Sequence, residues 1–102
     1  MQSVIERHRE ELAVLCRSVD ARRLDAFGSA VRADFDPTTS DLDFIVEFEP
    51  LAPIRYAEAF FTLKQSLESL FGRTVDLVTE GSIDNPYLRS RIDAERQTLY
   101  AR

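Results

Sequence analysis

The stretch Asp41-Leu42-Asp43-Phe44-Ile45-Val46-Glu47-Phe48 alternates residue by residue, and no other feature constrains the fold of this 102-residue chain as tightly. In a strand, successive side chains leave opposite faces. Leu42, Phe44, Val46 and Phe48 therefore share one face, and Asp41, Asp43, Ile45 and Glu47 the other. The segment predicts a strand with one face on a core. Asp41 and Asp43 leave the opposite face together, about 7 Å apart along the backbone.

The neighbouring segments supply what such a strand needs as cover. Val4, His8, Leu12, Leu15 and Val19 recur at three- and four-residue spacing, which predicts an amphipathic helix over residues 3–19. His8 lies at the edge of that stripe and has no partner at a metal-ligand spacing, so it reads as structural. Arg22 to Phe27 reads as a short strand stopped by Gly28-Ser29, with a short helix from Ser29 to Arg32. The polar segment from Ala33 to Ser40, bounded by Pro37, reads as a loop. Pro50 and Pro53 precede a second amphipathic helix over residues 55–71, ended by Gly72. A third strand is expected over 73–79. Asn85 and Pro86 suit the cap and first turn of a last helix through Glu95, closed by an apolar tail at Leu99-Tyr100. The order helix, strand, short helix, strand, helix, strand, helix predicts an α/β or α+β fold, helices flanking a small sheet.

The length fits a single domain over residues 1–102, and the 44% hydrophobic and 30% charged composition is that of a globular protein. No apolar run reaches the roughly 20 residues of a membrane span, and the N-terminus is charged throughout. The expectation is a cytoplasmic protein without membrane contact. The single cysteine, Cys16, forms no internal disulfide and reads as a small buried side chain on a helix stripe. A net charge of −5 argues against extended nucleic-acid binding, which needs clustered cations. Arg22, Arg23, Arg89, Arg91 and Arg96 offer local basic patches but read first as solvated charges.

The chemistry concentrates in three places. Asp41 and Asp43, aimed one way beside an apolar core, are costly unless something compensates them, and a divalent cation is the usual compensation. Magnesium suits them, since it takes few carboxylates and completes its shell with water and phosphate oxygens. Gly28-Ser29, between a strand and an expected helix, is suited to an anion through outward backbone N–H groups and the Ser29 hydroxyl. Arg32, one turn later, can reach the same anion. Asp76 is a lone acid between Val75 and Leu77. If its strand neighbours Asp41-Leu42-Asp43, the three acids share a surface suited to metal-assisted phosphoryl or nucleotidyl transfer. An EF-hand counted from Asp34 fails, because Thr39 stands in place of its glycine and Ile45 in place of its glutamate. Tyr56, Phe60, Phe61 and Phe71 read as core rather than as an adenine platform, and Glu47 as a sheet-edge residue rather than a ligand.

Phe27-Gly28-Ser29 followed by Ser40-Asp41-Leu42-Asp43-Phe44-Ile45-Val46 resembles the Gly-Ser, spacer, Asp-x-Asp signature of DNA-polymerase-beta-like nucleotidyltransferases. The wider segment from Gly28 to Phe48 is similar to the minimal nucleotidyltransferase antitoxins, MntA-like and of type VII, that pair with HEPN-domain toxins. The resemblance implies a mixed sheet with flanking helices, with ATP and Mg2+ as donor and cofactor. It further implies transfer of AMP to a tyrosine hydroxyl of a HEPN toxin partner. By position, Gly28 and Ser29 would hold the triphosphate with Arg32. Asp41, Asp43 and Asp76 would be the catalytic and metal-binding acids, Asp76 also the general base. Ala33 departs from the glycine many relatives carry after the arginine. Two other readings share the signature: an antitoxin that neutralises by binding alone, and the nucleotide-binding subunit of a two-chain transferase acting on a small molecule.

Overall fold

A computed structural model describes residues 3–31 and 41–102. Four strands form one mixed sheet: β1 (Ala21–Phe27), β2 (Leu42–Phe48), β3 (Val75–Thr79) and β4 (Gln97–Ala101), in the order β3-β2-β1-β4. β1 runs antiparallel to both β2 and β4, and β2 runs parallel to β3. The helices are α1 (Ser3–Glu6), α2 (Arg9–Ser18), α3 (Pro53–Phe71) and α4 (Pro86–Glu95). The expected α/β sheet with flanking helices is present.

The alternation in β2 decides the layering. Leu42, Phe44, Val46 and Phe48 are all buried, and with Leu24 and Ala26 of β1 and Val75 and Leu77 of β3 they join one core. Against that face lie Leu12 and Cys16 of α2 and Ala59, Leu63, Leu67 and Phe71 of α3. Burying each leucine side chain contributes about 2 kcal/mol before entropy is charged against it. The Phe44 and Phe71 rings stack 5.9 Å apart, and Phe60 packs on the same core while Phe61 stays exposed. Phe44, Phe60 and Phe71 thus lie on the face covered by α2 and α3, away from the acids, whereas Tyr56 and Phe61, expected in the core, are exposed.

Four expectations need correcting. The helix foreseen over 3–19 is broken at Arg7-His8, where His8 leaves the helical well (φ −106°, ψ 17°). Its ring lies edge-on to Phe71 at 5.5 Å, a long-range contact that periodicity does not reveal. Pro53, expected to precede the helix, is instead the start of α3, its fixed φ suiting the first turn. The short helix expected from Ser29 to Arg32 opens as a 3₁₀ turn, Gly28–Ala30, and Arg32 and the expected loop of residues 33–40 lie outside the described residues. The apolar tail is β4, whose register against β1 pairs Leu24 with Tyr100 and Asp25 with Thr98. Gly72 ends α3 in the left-handed conformation, φ +65°, as expected of a terminating glycine. Cys16 is fully buried, and burial pushes its thiol up to about 12, so it stays protonated. No helix among the described residues is long and apolar enough to cross a membrane.

Candidate active site

The end of β1 and the starts of β2 and β3 meet at one end of the sheet and bring the sequence-distant acids together. Phe27, the last residue of β1, stands opposite Asp43 in register, which places the Gly28–Ala30 turn beside the Asp43 carboxylate. The parallel pairing sets Asp43 directly opposite Asp76. Neighbouring strands lie about 4.8 Å apart, so two carboxylates face one another across that gap. Asp43 is half-buried, while Asp41 and Asp76 are exposed. Asp41 precedes β2 and shares Asp43's side of the strand by the two-residue period.

Ser29 fixes Asp43. Its backbone N–H donates to Asp43 Oδ2 at 3.1 Å. Its hydroxyl lies within hydrogen-bond reach of both Asp43 Oδ2, at 3.1 Å, and the Asp41 carbonyl, and its one proton serves either acceptor. Gly28 makes this approach possible. At φ +56° it occupies the left-handed region, and a Cβ there would overlap the Asp43 carboxylate, lying 3.2 Å from its Cγ. The glycine therefore makes room for a carboxylate. The sequence reading expected it to make room for a phosphate and to aim its N–H outward at the end of a helix. Without nucleotide both N–H groups are occupied: that of Gly28 donates to Glu95 Oε2 at 3.1 Å and that of Ser29 to Asp43, and a three-residue 3₁₀ turn carries no helix macrodipole of consequence.

α4 covers the side of the sheet that bears the acids. Asn85 caps it through Oδ1, which accepts from the N–H groups of Tyr87 at 2.8 Å and Leu88 at 3.3 Å. A cavity of about 160 Å³ lies between Gly28 and Asp43 on the sheet side and Leu88, Ile92 and Glu95 on the helix. Arg91, 62% exposed, stands at its lip 3.6 Å from Glu95.

Beneath the end of α4 lies a charge network that sequence reasoning missed. Asp25 of β1 is the one buried charged residue among those described, at 0% exposure. It accepts from Arg23 Nε at 3.0 Å and from Arg96 Nε. Arg96, only 12% exposed, also pairs with Glu80 in the 3₁₀ turn after β3 and with Asp93 at 3.0 Å. Arg89 adds a bond to Glu80 at 2.9 Å. Arg89 and Arg96 are thus neither solvated charges nor a phosphate patch. The Arg96 hydrogen bond holds the Glu80 carboxyl below its usual range against the opposing pull of burial, and the same pairing raises Arg96. Asp25, an acid between Leu24 and Ala26, carried the signal that singled out Asp76, but nothing nearby in sequence names its partner.

The sequence as a whole matches the model of the nucleotidyltransferase domain over residues 5–99. The chain belongs to this family. It is 28% identical over 96 residues to a Methanocaldococcus jannaschii protein named putative protein adenylyltransferase MJ1217, covering 93% of this chain and 90% of the relative. A solved structure named as a putative minimal nucleotidyltransferase superposes with a TM-score of 0.76 at 33% identity, covering 93% of this chain and 92% of the other. A chain from the Shewanella oneidensis complex of tri-AMPylated HEPN toxin with its MNT antitoxin shares the fold. Its TM-score is 0.63 at 22% identity, covering 96% of this chain and 73% of that one. The protein is a nucleotidyltransferase, and the Gly28-Ser29 turn and the acids of β2 and β3 are its candidate site.

The donors of this transferase suit a hard divalent cation. Among the described residues no three His, Cys, Asp or Glu side chains converge into a complete metal-holding group. Magnesium does not require one, since it is usually held by one or two carboxylates with waters and substrate phosphates filling the remaining positions. Asp43 is already oriented by Ser29, and it is paired in register with Asp76.

Proposed function

We propose that this nucleotidyltransferase uses ATP and Mg2+ to transfer AMP to a tyrosine hydroxyl of a HEPN-type toxin, silencing it. The observation that carries this reading is the pairing of Asp43 with Asp76 across β2 and β3, beside a Gly28-Ser29 turn that locks the Asp43 carboxylate. Two acids side by side on neighbouring strands, at one end of the sheet, are the arrangement that in-line transfer at phosphorus uses. The acceptor is motivated by the similarly folded chain that sits in a complex with a tri-AMPylated HEPN toxin.

In this reading Asp41 and Asp43 bind the metal, which when present neutralises charge developing on the phosphates. Asp43 keeps its orientation through the Ser29 N–H, which stays in place when the Ser29 hydroxyl turns to the donor. Asp76, exposed beside it, takes the proton from the tyrosine hydroxyl as its oxygen bonds to the α-phosphorus and pyrophosphate leaves. Ser29 contributes its hydroxyl to the triphosphate once nucleotide is bound, and Arg32 is assigned to the same anion by its place in the signature.

The test is to incubate the purified protein with labelled ATP, magnesium and the HEPN-type protein encoded beside it. Label is expected on a toxin tyrosine, absent with Asp43→Asn. An unlabelled toxin, or a Asp41→Ala variant as active as the parent, sinks the proposal. Neutralisation of the toxin by an Asp41/Asp43 double alanine variant would instead select an antitoxin that works by binding alone.

A further inference from the structure

Glu95 is placed where its own helix disfavours it. It is the last residue of α4, at the negative end of the helix dipole, where a carboxylate is destabilising and a cation is preferred. Its carboxylate nevertheless turns toward the sheet and accepts the Gly28 N–H at 3.1 Å, with Arg91 3.6 Å away. The direction of that N–H is not adjustable. Gly28 is held at φ +56° by the turn and by the Asp43 carboxylate packed where its Cβ would be. The donor is therefore a fixed backbone N–H at a strand end, beside the acids, opening on a cavity of about 160 Å³. Such a donor recognises any anionic oxygen, and a carboxylate oxygen and a phosphate oxygen are equivalent to it.

We propose that Glu95 occupies the seat of a triphosphate oxygen in the nucleotide-free protein, so that nucleotide binds only by displacing its carboxylate from Gly28. This rests on the nucleotidyl-transfer reading of the same site. A second anionic oxygen at the same N–H would be repelled by the Glu95 carboxylate, and an undisplaced Glu95 would add a second carboxylate to Asp43 in a cavity that must receive a triphosphate. The contact also keeps the Gly28 N–H satisfied while the site is empty. Glu95 thus sets the affinity for nucleotide without touching the reacting atoms, and Arg91 stabilises it in the occluding position.

The test compares the parent chain with Glu95→Gln and Glu95→Ala by calorimetric titration with magnesium and AMP-PNP, with no acceptor protein present to receive AMP. A parallel titration uses inorganic tripolyphosphate. Melting curves establish that the variants fold, and the glutamine variant keeps the side-chain volume should alanine loosen α4. Glu95→Ala is expected to bind AMP-PNP about tenfold more tightly, the equivalent of one charge-assisted hydrogen bond no longer displaced. Glu95→Gln should gain less, because its amide oxygen still accepts the N–H. In NMR spectra the Gly28 amide resonance should shift in Glu95→Ala alone, and again in both proteins on adding tripolyphosphate. Equal or weaker binding by folded variants, with the parent still binding AMP-PNP, overturns the role of Glu95 and leaves the transferase reading intact. Failure of parent and variants alike to bind AMP-PNP or tripolyphosphate overturns both.

Discussion

Gly28 shows how one missing Cβ can place a carboxylate. Its positive φ costs a residue with a side chain about 1–2 kcal/mol, and the Cβ would also push Asp43 away from Ser29. Gly28→Ala is therefore expected to lose about 1–2 kcal/mol in urea unfolding and, through the displaced Asp43, about 100-fold in AMP transfer. An activity loss no larger than the stability loss explains would mean that Asp43 tolerates the shift. Gly28, Ser29, Asp41, Asp43 and Asp76 were all legible in the sequence, because each combines an unusual residue type with an informative place in a strand or turn. Glu95 was not. A glutamate at the end of a predicted helix looks like any solvated charge until the strand it leans on is known.

Among the elements, α4 is the one whose local chemistry was most readable and whose purpose was least so. Asn85 and Pro86 announce its start, and the cap is formed as expected. Asn85→Ala should cost about 1 kcal/mol. The loss should appear in hydrogen exchange as faster opening of the first turn of α4, with the α3 amides unchanged. Equal acceleration throughout would mean that the cap supports the whole fold. β4 was read as a tail because five residues with one buried side chain, Leu99, give no alternation; only β1's unpaired edge makes them a strand. The break at Arg7-His8 has the same origin, since Phe71 stands 63 positions from the ring it meets.

At the scale of the whole molecule, Arg96 ties β1, the turn after β3 and the end of α4 into one unit. Arg96→Ala leaves Asp25 fully buried with Arg23 as its remaining described cation, and a loss of about 3 kcal/mol is expected. Arg96→Lys should rescue little, because one ammonium cannot reproduce a guanidinium fork serving three carboxylates. The pH dependence has a definite sign. The Glu80 carboxyl is depressed in the folded protein, chiefly by its bond from Arg96, so its contribution is present above the ordinary value of 4.5 and is lost as pH falls below it. Melting temperatures followed downward from neutral pH should fall on crossing that value, and fall less steeply in Glu80→Gln. An acid limb identical in the variant would remove Glu80 from this account.

The sequence by itself determined the layers and the candidate chemistry. Alternation in Asp41–Phe48 chooses which face of β2 meets the core, helical spacing supplies the cover, and the residue types at Gly28-Ser29, Asp41, Asp43 and Asp76 limit what that end of the sheet can do. These signals are short in range, resting on a strand's period of two or a helix's 3.6. Only the tertiary structure decided that β2 and β3 run parallel with Asp43 opposite Asp76. It alone made the last apolar segment an edge strand, buried Asp25 under Arg96, and turned the Glu95 carboxylate to the Gly28 N–H. Each of those joins residues far apart in the chain by hydrogen bonds or charge. Register and pairing depend on which unpaired donor meets which acceptor once the chain has closed, and no periodicity in the sequence encodes that meeting.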